Sequence, residues 1–273
     1  MYVSGNLVLL IYLTVFVIVT VEQVLIGVGV EIGYGSPRTL TDVSCKNCRG
    51  DLTELRPTLL AGVPIVWETI RKNILLKVQE QRPRRQKIFW GAVELKWWLM
   101  SCGLPTGILD SIVFKKVQQA TGGRLRFALS GGAAIAQETH KFLSVALCPI
   151  MQGYGMTETC GVIAIQTPNL HALNSVGQLF PCLEMKLVTV AEIGYFADHD
   201  PPQGEIWVRG QNVMSGYYKL EEETKATLTA DGWLKTGDIG QFAPDGTLSI
   251  IDRRKTCCAF SSCPCLVLTH PFF

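Results

Sequence analysis

An α/β layer passing into a β-rich layer is the architecture that this 273-residue chain predicts. Three observations carry it. Between Arg124 and Met151 the pattern reads strand, glycine turn, helix, strand. From Val176 onward the texture changes to short strands. The last two of these are separated by Ala243-Pro244-Asp245-Gly246, a hairpin-turn sequence. Hydrophobic residues make up 48% and charged residues 18%, which predicts a substantial core and excludes a disordered chain. A net charge of +2 gives no footing for nucleic acid, so none is expected as a partner.

Along the chain, residues 1–21 carry no charge, and Leu7 to Val21 is apolar apart from two threonines. That length is near what a membrane-spanning helix needs. Dense β-branching (Ile11, Val15, Val17, Ile18, Val19) equally suits a buried strand, and sequence foreign to the parent gene product is a third reading. Cys45-Lys46-Asn47-Cys48 has the gap of a metal or redox pair, but no second pair follows. The ten cysteines therefore read as free thiols of a reducing compartment, and no metal is assigned to them. Gln79 to Lys87 is a basic run read as a solvated loop or helix end. Phe89, Trp90, Trp97, Trp98 and Leu99 beside it make a membrane-surface patch over 82–99 the alternative.

Arg124 to Ser130 reads as a strand ending at the Gly131-Gly132 turn, and Ala136 to Ala146 has helical spacing. Leu147 to Met151 reads as the next strand, with Gly153–Thr159 as the loop at its end, the place where α/β sheets bind ligands. The later strands are read at Glu184–Val188, Glu205–Arg209, Gly240–Phe242 and Leu248–Ile251, with one exposed helix at Lys219–Thr227.

Several residues here suit a nucleotide. Tyr154 lies between two glycines, so backbone can approach a ligand closely and the ring can lie on a base. It can equally be an ordinary loop tyrosine. Thr157 offers a hydroxyl to a phosphate, and Glu158 a hard oxygen ligand for Mg²⁺; Thr157 reads equally as a helix cap. Asp238, after Gly237 in a turn, can accept both hydroxyls of a ribose or cap its own backbone.

Four stretches stand in order: Leu129-Ser130-Gly131-Gly132-Ala133, Gly153-Tyr154-Gly155-Met156-Thr157-Glu158-Thr159, Thr236-Gly237-Asp238 and Asp252-Arg253-Arg254-Lys255. This set resembles the adenylate-forming enzymes, the superfamily of acyl-CoA synthetases, luciferases and adenylation domains. Gly33–Asp42, Arg56–Thr58, Gly62–Glu68 and Gly210–Tyr218 are similar to eukaryotic, fungal-like long-chain acyl-CoA synthetases. The resemblance covers about Glu22 to Lys255. It implies ATP, Mg²⁺, coenzyme A and a long-chain fatty acid, joined through an acyl-adenylate. It implies that Gly131, Gly132 and Ala133 line the adenine and acyl pocket, that Tyr154 stacks on the base, and that Thr157 contacts the AMP phosphate. Glu158 would hold the metal, Asp238 the ribose with Arg253 close by, and Val63–Trp67 and Val162–Ile165 would wall the acyl tunnel.

The same resemblance implies part of the family's large N-terminal domain (22–251), preceded by the apolar segment and followed by a hinge remnant and a cysteine-rich tail (252–273). The family's phosphate loop has no counterpart in residues 1–32, and its small C-terminal domain with the adenylation lysine has none after Lys255. Turnover by this chain is expected to be impaired. Two other readings are an acyl-adenylating enzyme that loads a carrier protein and a non-catalytic membrane-associated remnant. The expected location is intracellular, at the endoplasmic reticulum, a lipid droplet or another membrane surface.

Overall fold

The computed structural model of the chain describes residues 8–12, 26–27, 29–36, 38–42, 45, 47–168 and 172–254. It divides into two compact units, Met1–Met151 and Gln152–Phe273.

The first unit is built on parallel strands in the order β2-β1-β3-β4. β1 (Val8–Tyr12) pairs on one side with β2 (Glu31–Tyr34), Val8 opposite Glu31. On its other side lies β3 (Leu59–Gly62), Leu9 opposite Leu59. β4 (Phe127–Ser130) flanks β3, Leu59 opposite Phe127. All four residues of β3 are buried, as expected of a parallel strand covered on both faces. So five residues of the apolar opening are a sheet strand with a neighbour on each edge; its other residues lie outside the described ones. Among the described residues no helix is long and apolar enough to cross a membrane. The cysteine-rich tail beyond Lys255, and Lys255 itself, also lie outside them.

After the short α1 (Asp51–Leu55), two long helices lie between β3 and β4: α2 (Pro64–Gln79) and α3 (Pro83–Ser101). Each has proline at its start, where the missing N–H costs nothing and φ is already helical. The basic run therefore turns the corner between two helices and enters the first turn of α3. α2 buries Val66, Trp67, Ile70 and Ile74, the spacing of one helix face. Val66 and Leu60 are fully enclosed, and each such side chain contributes about 1.5–3 kcal/mol by leaving water. α3 buries Phe89, Ala92, Val93 and, unusually, Lys96. The Lys96 ammonium is satisfied by Asp110 at 2.5 Å and the Val145 carbonyl at 2.6 Å, and lies 4.9 Å from the Phe114 ring centre. α4 (Gln137–Ala146) follows β4 close to the sequence reading, and the next strand begins at Ile150 rather than Leu147.

The second unit takes over within β5 (Ile150–Met156), which pairs antiparallel with β6 (Gly161–Ile165); β6 in turn pairs with β7 (Gln178–Leu179). An antiparallel four-stranded sheet follows, order β11-β10-β9-β8. Its strands are β8 (Leu183–Val188), β9 (Gln203–Gly210), β10 (Leu234–Phe242) and β11 (Leu248–Arg253). Ile206, Val208, Leu234 and Leu248 form a core with Ile163 and Ala164. The turn between β10 and β11 is the predicted one: Ala243 N–H reaches the Thr247 carbonyl at 2.9 Å. Asp245 accepts from both the backbone and the hydroxyl of Thr247, which holds its carboxyl below the usual range. α5 (Glu221–Thr227) starts two residues later than the sequence suggests.

Candidate functional site

Two side chains 84 positions apart meet in the second unit. The Tyr154 hydroxyl donates to Asp238 Oδ2 at 2.7 Å. Arg253 Nε lies 3.1 Å from Asp238 Oδ1. Asp238 is 8% exposed, whereas the Arg253 side chain is 73% exposed, so the carboxylate is set in the protein and its cation stands in solvent. Burial first, and the Asp238 carboxylate second, push the Tyr154 phenol well above its usual range. The phenol therefore keeps its proton and acts as a donor to Asp238.

The backbone explains how Asp238 reaches this place. It does not lie in a turn, as the sequence suggested, but inside β10. The pairing of β10 with β9 shifts register between Lys235 and Ile239, and that with β11 shifts between Ile239 and Gly240. Gly237 takes a φ of +73° within this irregular segment. The Asp238 N–H is tied to Thr236 Oγ1 at 3.1 Å, and the Thr236 hydroxyl to the Ile206 carbonyl at 2.8 Å. A bulge re-aims a side chain out of the ladder, and here it presents a carboxylate with lone pairs to spare.

Gly153 to Met156 are strand rather than loop, because they continue β5 along β6. The irregular part is the single 3₁₀ turn Thr157–Thr159. Thr157 is its first residue, not its cap. The buried Thr159 closes the turn instead, its hydroxyl meeting the Met156 and Gly161 carbonyls at 3.0 and 3.2 Å. Thr157 is exposed, and its hydroxyl makes no hydrogen bond among the described residues, which leaves it available to a ligand. Glu158 Oε1 accepts from the Tyr217 hydroxyl at 2.7 Å. The Glu158 carbonyl accepts from Met214 N–H at 2.8 Å, and the Thr159 carbonyl from Asn212 Nδ2 at 2.9 Å. Residues 212–217 thus clamp the turn at three points. Desolvation, then the Glu158 bond, raise the Tyr217 phenol, so it too remains a donor.

The sequence reading missed that clamp; its one signal was the Gly216-Tyr217-Tyr218 motif. It also assigned the glycines of Gly-Tyr-Gly to close approach by a ligand. Gly155 instead closes on protein: a β-carbon there would lie 1.7 Å from the Gly161 carbonyl oxygen. Gly131, Gly132 and Ala133 belong to the first unit, at the carboxyl end of β4. Gly131 is buried, with its N–H 3.3 Å from the Gly62 carbonyl, and Gly132 turns with a φ of +83°. The Ser130 hydroxyl just before them is buried and has no hydrogen-bond partner among the described residues. Val66, Trp67, Ile163 and Ala164, expected in tunnel walls, are core residues of their units. Asp252 and Arg253 are the last residues of β11, and Arg254 pairs with Glu205 at 3.1 Å. Among the described residues no group of three or more His, Cys, Asp or Glu could hold a metal by itself.

A family model for AMP-binding enzymes matches residues 2–218 and so takes in most of the apolar opening. The chain is 52% identical over 231 residues to long-chain-fatty-acid–CoA ligase 2 of Schizosaccharomyces pombe, covering 83% of this chain and 33% of the relative. It is 46% identical over 228 residues to long-chain-fatty-acid–CoA ligase 1 of Saccharomyces cerevisiae, covering 83% and 32%. The chain thus spans about a third of the length of these relatives. Among solved structures it is similar to the A domain of a carboxylic acid reductase from Segniliparus rugosus, in complex with AMP and a co-purified carboxylic acid. The TM-score is 0.61 at 24% identity, over 90% of this chain and 34% of the other, and supports the fold alone.

Proposed function

This chain belongs to the AMP-binding enzyme family, and from that premise we propose that it supplies the nucleotide-binding part of a long-chain-fatty-acid–CoA ligase. The reaction is ATP, a long-chain fatty acid and coenzyme A giving acyl-CoA, AMP and pyrophosphate through an acyl-adenylate. The observation that carries the reading is Asp238, a carboxylate held on a strand bulge between Tyr154 and Arg253, in a chain similar over most of its length to fungal ligases of that class. A carboxylate has about four lone-pair sites. With two taken by Tyr154 and Arg253, it still accepts the two adjacent hydroxyls of a ribose. Thr157 then donates to the phosphate.

A single carboxylate, Glu158, suits Mg²⁺ that arrives on a nucleotide, because that ion keeps its waters and shares its shell with phosphate oxygens. When bound, the ion would neutralise charge on the phosphates. Tyr217 is a positioning residue for Glu158. Tyr217→Phe is expected to leave the melting temperature unchanged and to weaken the apparent Mg²⁺ affinity in ATP binding by about 10-fold. Titration of ATP at several Mg²⁺ concentrations checks this, and unchanged Mg²⁺ dependence counts against the role.

Two measurements test the function. AMP should bind the folded 273-residue chain in isothermal titration. The chain, placed in the matching span of the S. pombe ligase, should support exchange of labelled pyrophosphate into ATP that depends on a long-chain fatty acid. Failure of AMP to bind, or exchange driven only by unrelated carboxylic acids, overturns the proposal. Work at a membrane surface, such as the endoplasmic reticulum or a lipid droplet, is part of the same reading.

A further inference from the structure

α3 in the first unit is apolar on two sides. One side, Phe89, Ala92, Val93 and Lys96, is buried. The other carries Arg84, Ile88, Gly91, Leu95 and Trp98, alternately four and three residues apart and therefore one stripe along the helix, all exposed. Ile88 is 63%, Leu95 48% and Trp98 56% exposed. Beyond the helix, Ile108 and Ile112 are 77% and 75% exposed. Of fourteen large apolar side chains exposed among the described residues, seven fall between 88 and 112, which is clustering rather than scatter. An exposed apolar cluster of this kind, on a helix whose opposite side is already buried, marks a contact surface.

Charge identifies the cover. Arg82, Arg84, Arg85 and Lys87 stand exposed at the start of the same helix, and none is in an ion pair among the described residues. The acidic residues from 82 to 112 are Glu94 and Asp110. Each is neutralised from within the unit, Glu94 by Lys141 at 3.3 Å and Asp110 by Lys96 at 2.5 Å. The outward charge is thus uniformly positive. A second copy of this face would set cations against cations; an anionic surface would not. Indole rings favour the boundary between lipid and water, and arginine and lysine stems can lie along apolar surface with their charges at the headgroups.

We propose that the outward face of α3, with the turns that follow it, docks on an anionic lipid bilayer, lying in the interface rather than crossing it. This deepens the membrane-surface part of the reading above and rests on it, while its test is independent of nucleotide binding and turnover, so the two can fail separately.

The test is co-sedimentation of the full chain with phosphatidylcholine vesicles with and without phosphatidylserine. Binding is expected with phosphatidylserine, weakening as salt rises. The combined Ile88→Ser, Leu95→Ser and Trp98→Ser variant should bind at least about 10-fold less. Arg84→Glu with Lys87→Glu should bind about 25-fold less or weaker, at about fivefold for each basic residue. Leu220→Ser, exposed in the other unit, should bind as the parent does. The altered side chains are exposed, and unchanged thermal melts confirm that the variants fold. Equal binding to both vesicle types, or binding that survives both sets of substitutions, overturns the proposal. So does concentration-dependent self-association that the triple variant abolishes while vesicles are ignored.

Discussion

Asp238→Asn is expected to lower the affinity of the chain for AMP by about 100-fold or more while leaving its melt nearly unchanged. The substitution keeps shape and volume and removes the charge. Hydrogen bonds to a charged acceptor contribute about 1.5–3 kcal/mol each, and a ribose offers two. Losing the charged character of both amounts to about 3 kcal/mol, and about 1.4 kcal/mol is tenfold in affinity. The amide oxygen still accepts from Tyr154, so that internal bond survives. Arg253 loses its partner at little cost, since it stands 73% exposed and surface pairs contribute about 0–1 kcal/mol. Titration calorimetry separates the two effects. An Asn variant that binds AMP as tightly as the parent would remove Asp238 from the nucleotide site. A variant that binds weakly and also melts early would make the residue structural.

Much of the second unit was legible from local rules. Ala243-Pro244-Asp245-Gly246 specifies its turn through proline, an aspartate that bonds the backbone two residues on, and a glycine at a φ of +78°. α4 was legible because its apolar Phe142, Val145 and Ala146 stand three and four residues apart, although the folded helix is buried nearly all round. α3 was not, for a physical reason: with apolar residues on two sides it lacks the one-sided periodicity that marks a surface helix. The parallel order β2-β1-β3-β4 was also hidden, because pairing of distant apolar strands leaves no local trace. At the site, Tyr154, Glu158 and Asp238 were named from motifs in order, which gives identity but not contact. That Tyr154 and Asp238 bond each other depends on a bulge created by two register shifts. That Glu158 is held by Tyr217 depends on a segment 59 residues away.

The Gly-Tyr-Gly motif yields the second large effect. Gly155→Ala is expected to destabilise the second unit by about 3 kcal/mol, at the upper end for an overpacked site, and to remove AMP binding with it. A β-carbon at 155 would lie 1.7 Å from the Gly161 oxygen, 2.6 Å from its carbonyl carbon and 3.0 Å from Val162 Cα. These are backbone atoms of the paired strand, so no side-chain rotation relieves the clash and β5 must part from β6. The pairs at risk are Gly155 with Val162 and Met156 with Gly161, next to the existing irregularity between Tyr154 and Gly155. Thr159 holds its turn partly through the Gly161 carbonyl, so displacing that strand also displaces Thr157 and Glu158. A melt lower by about 6–12 °C is expected, with loss of AMP binding even below the melt. A variant that melts with the parent yet loses AMP would return this glycine to the role the sequence first suggested, a place where backbone approaches a ligand. Early melting with AMP binding retained at low temperature would show that β5 and β6 part without disturbing the Thr157–Thr159 turn.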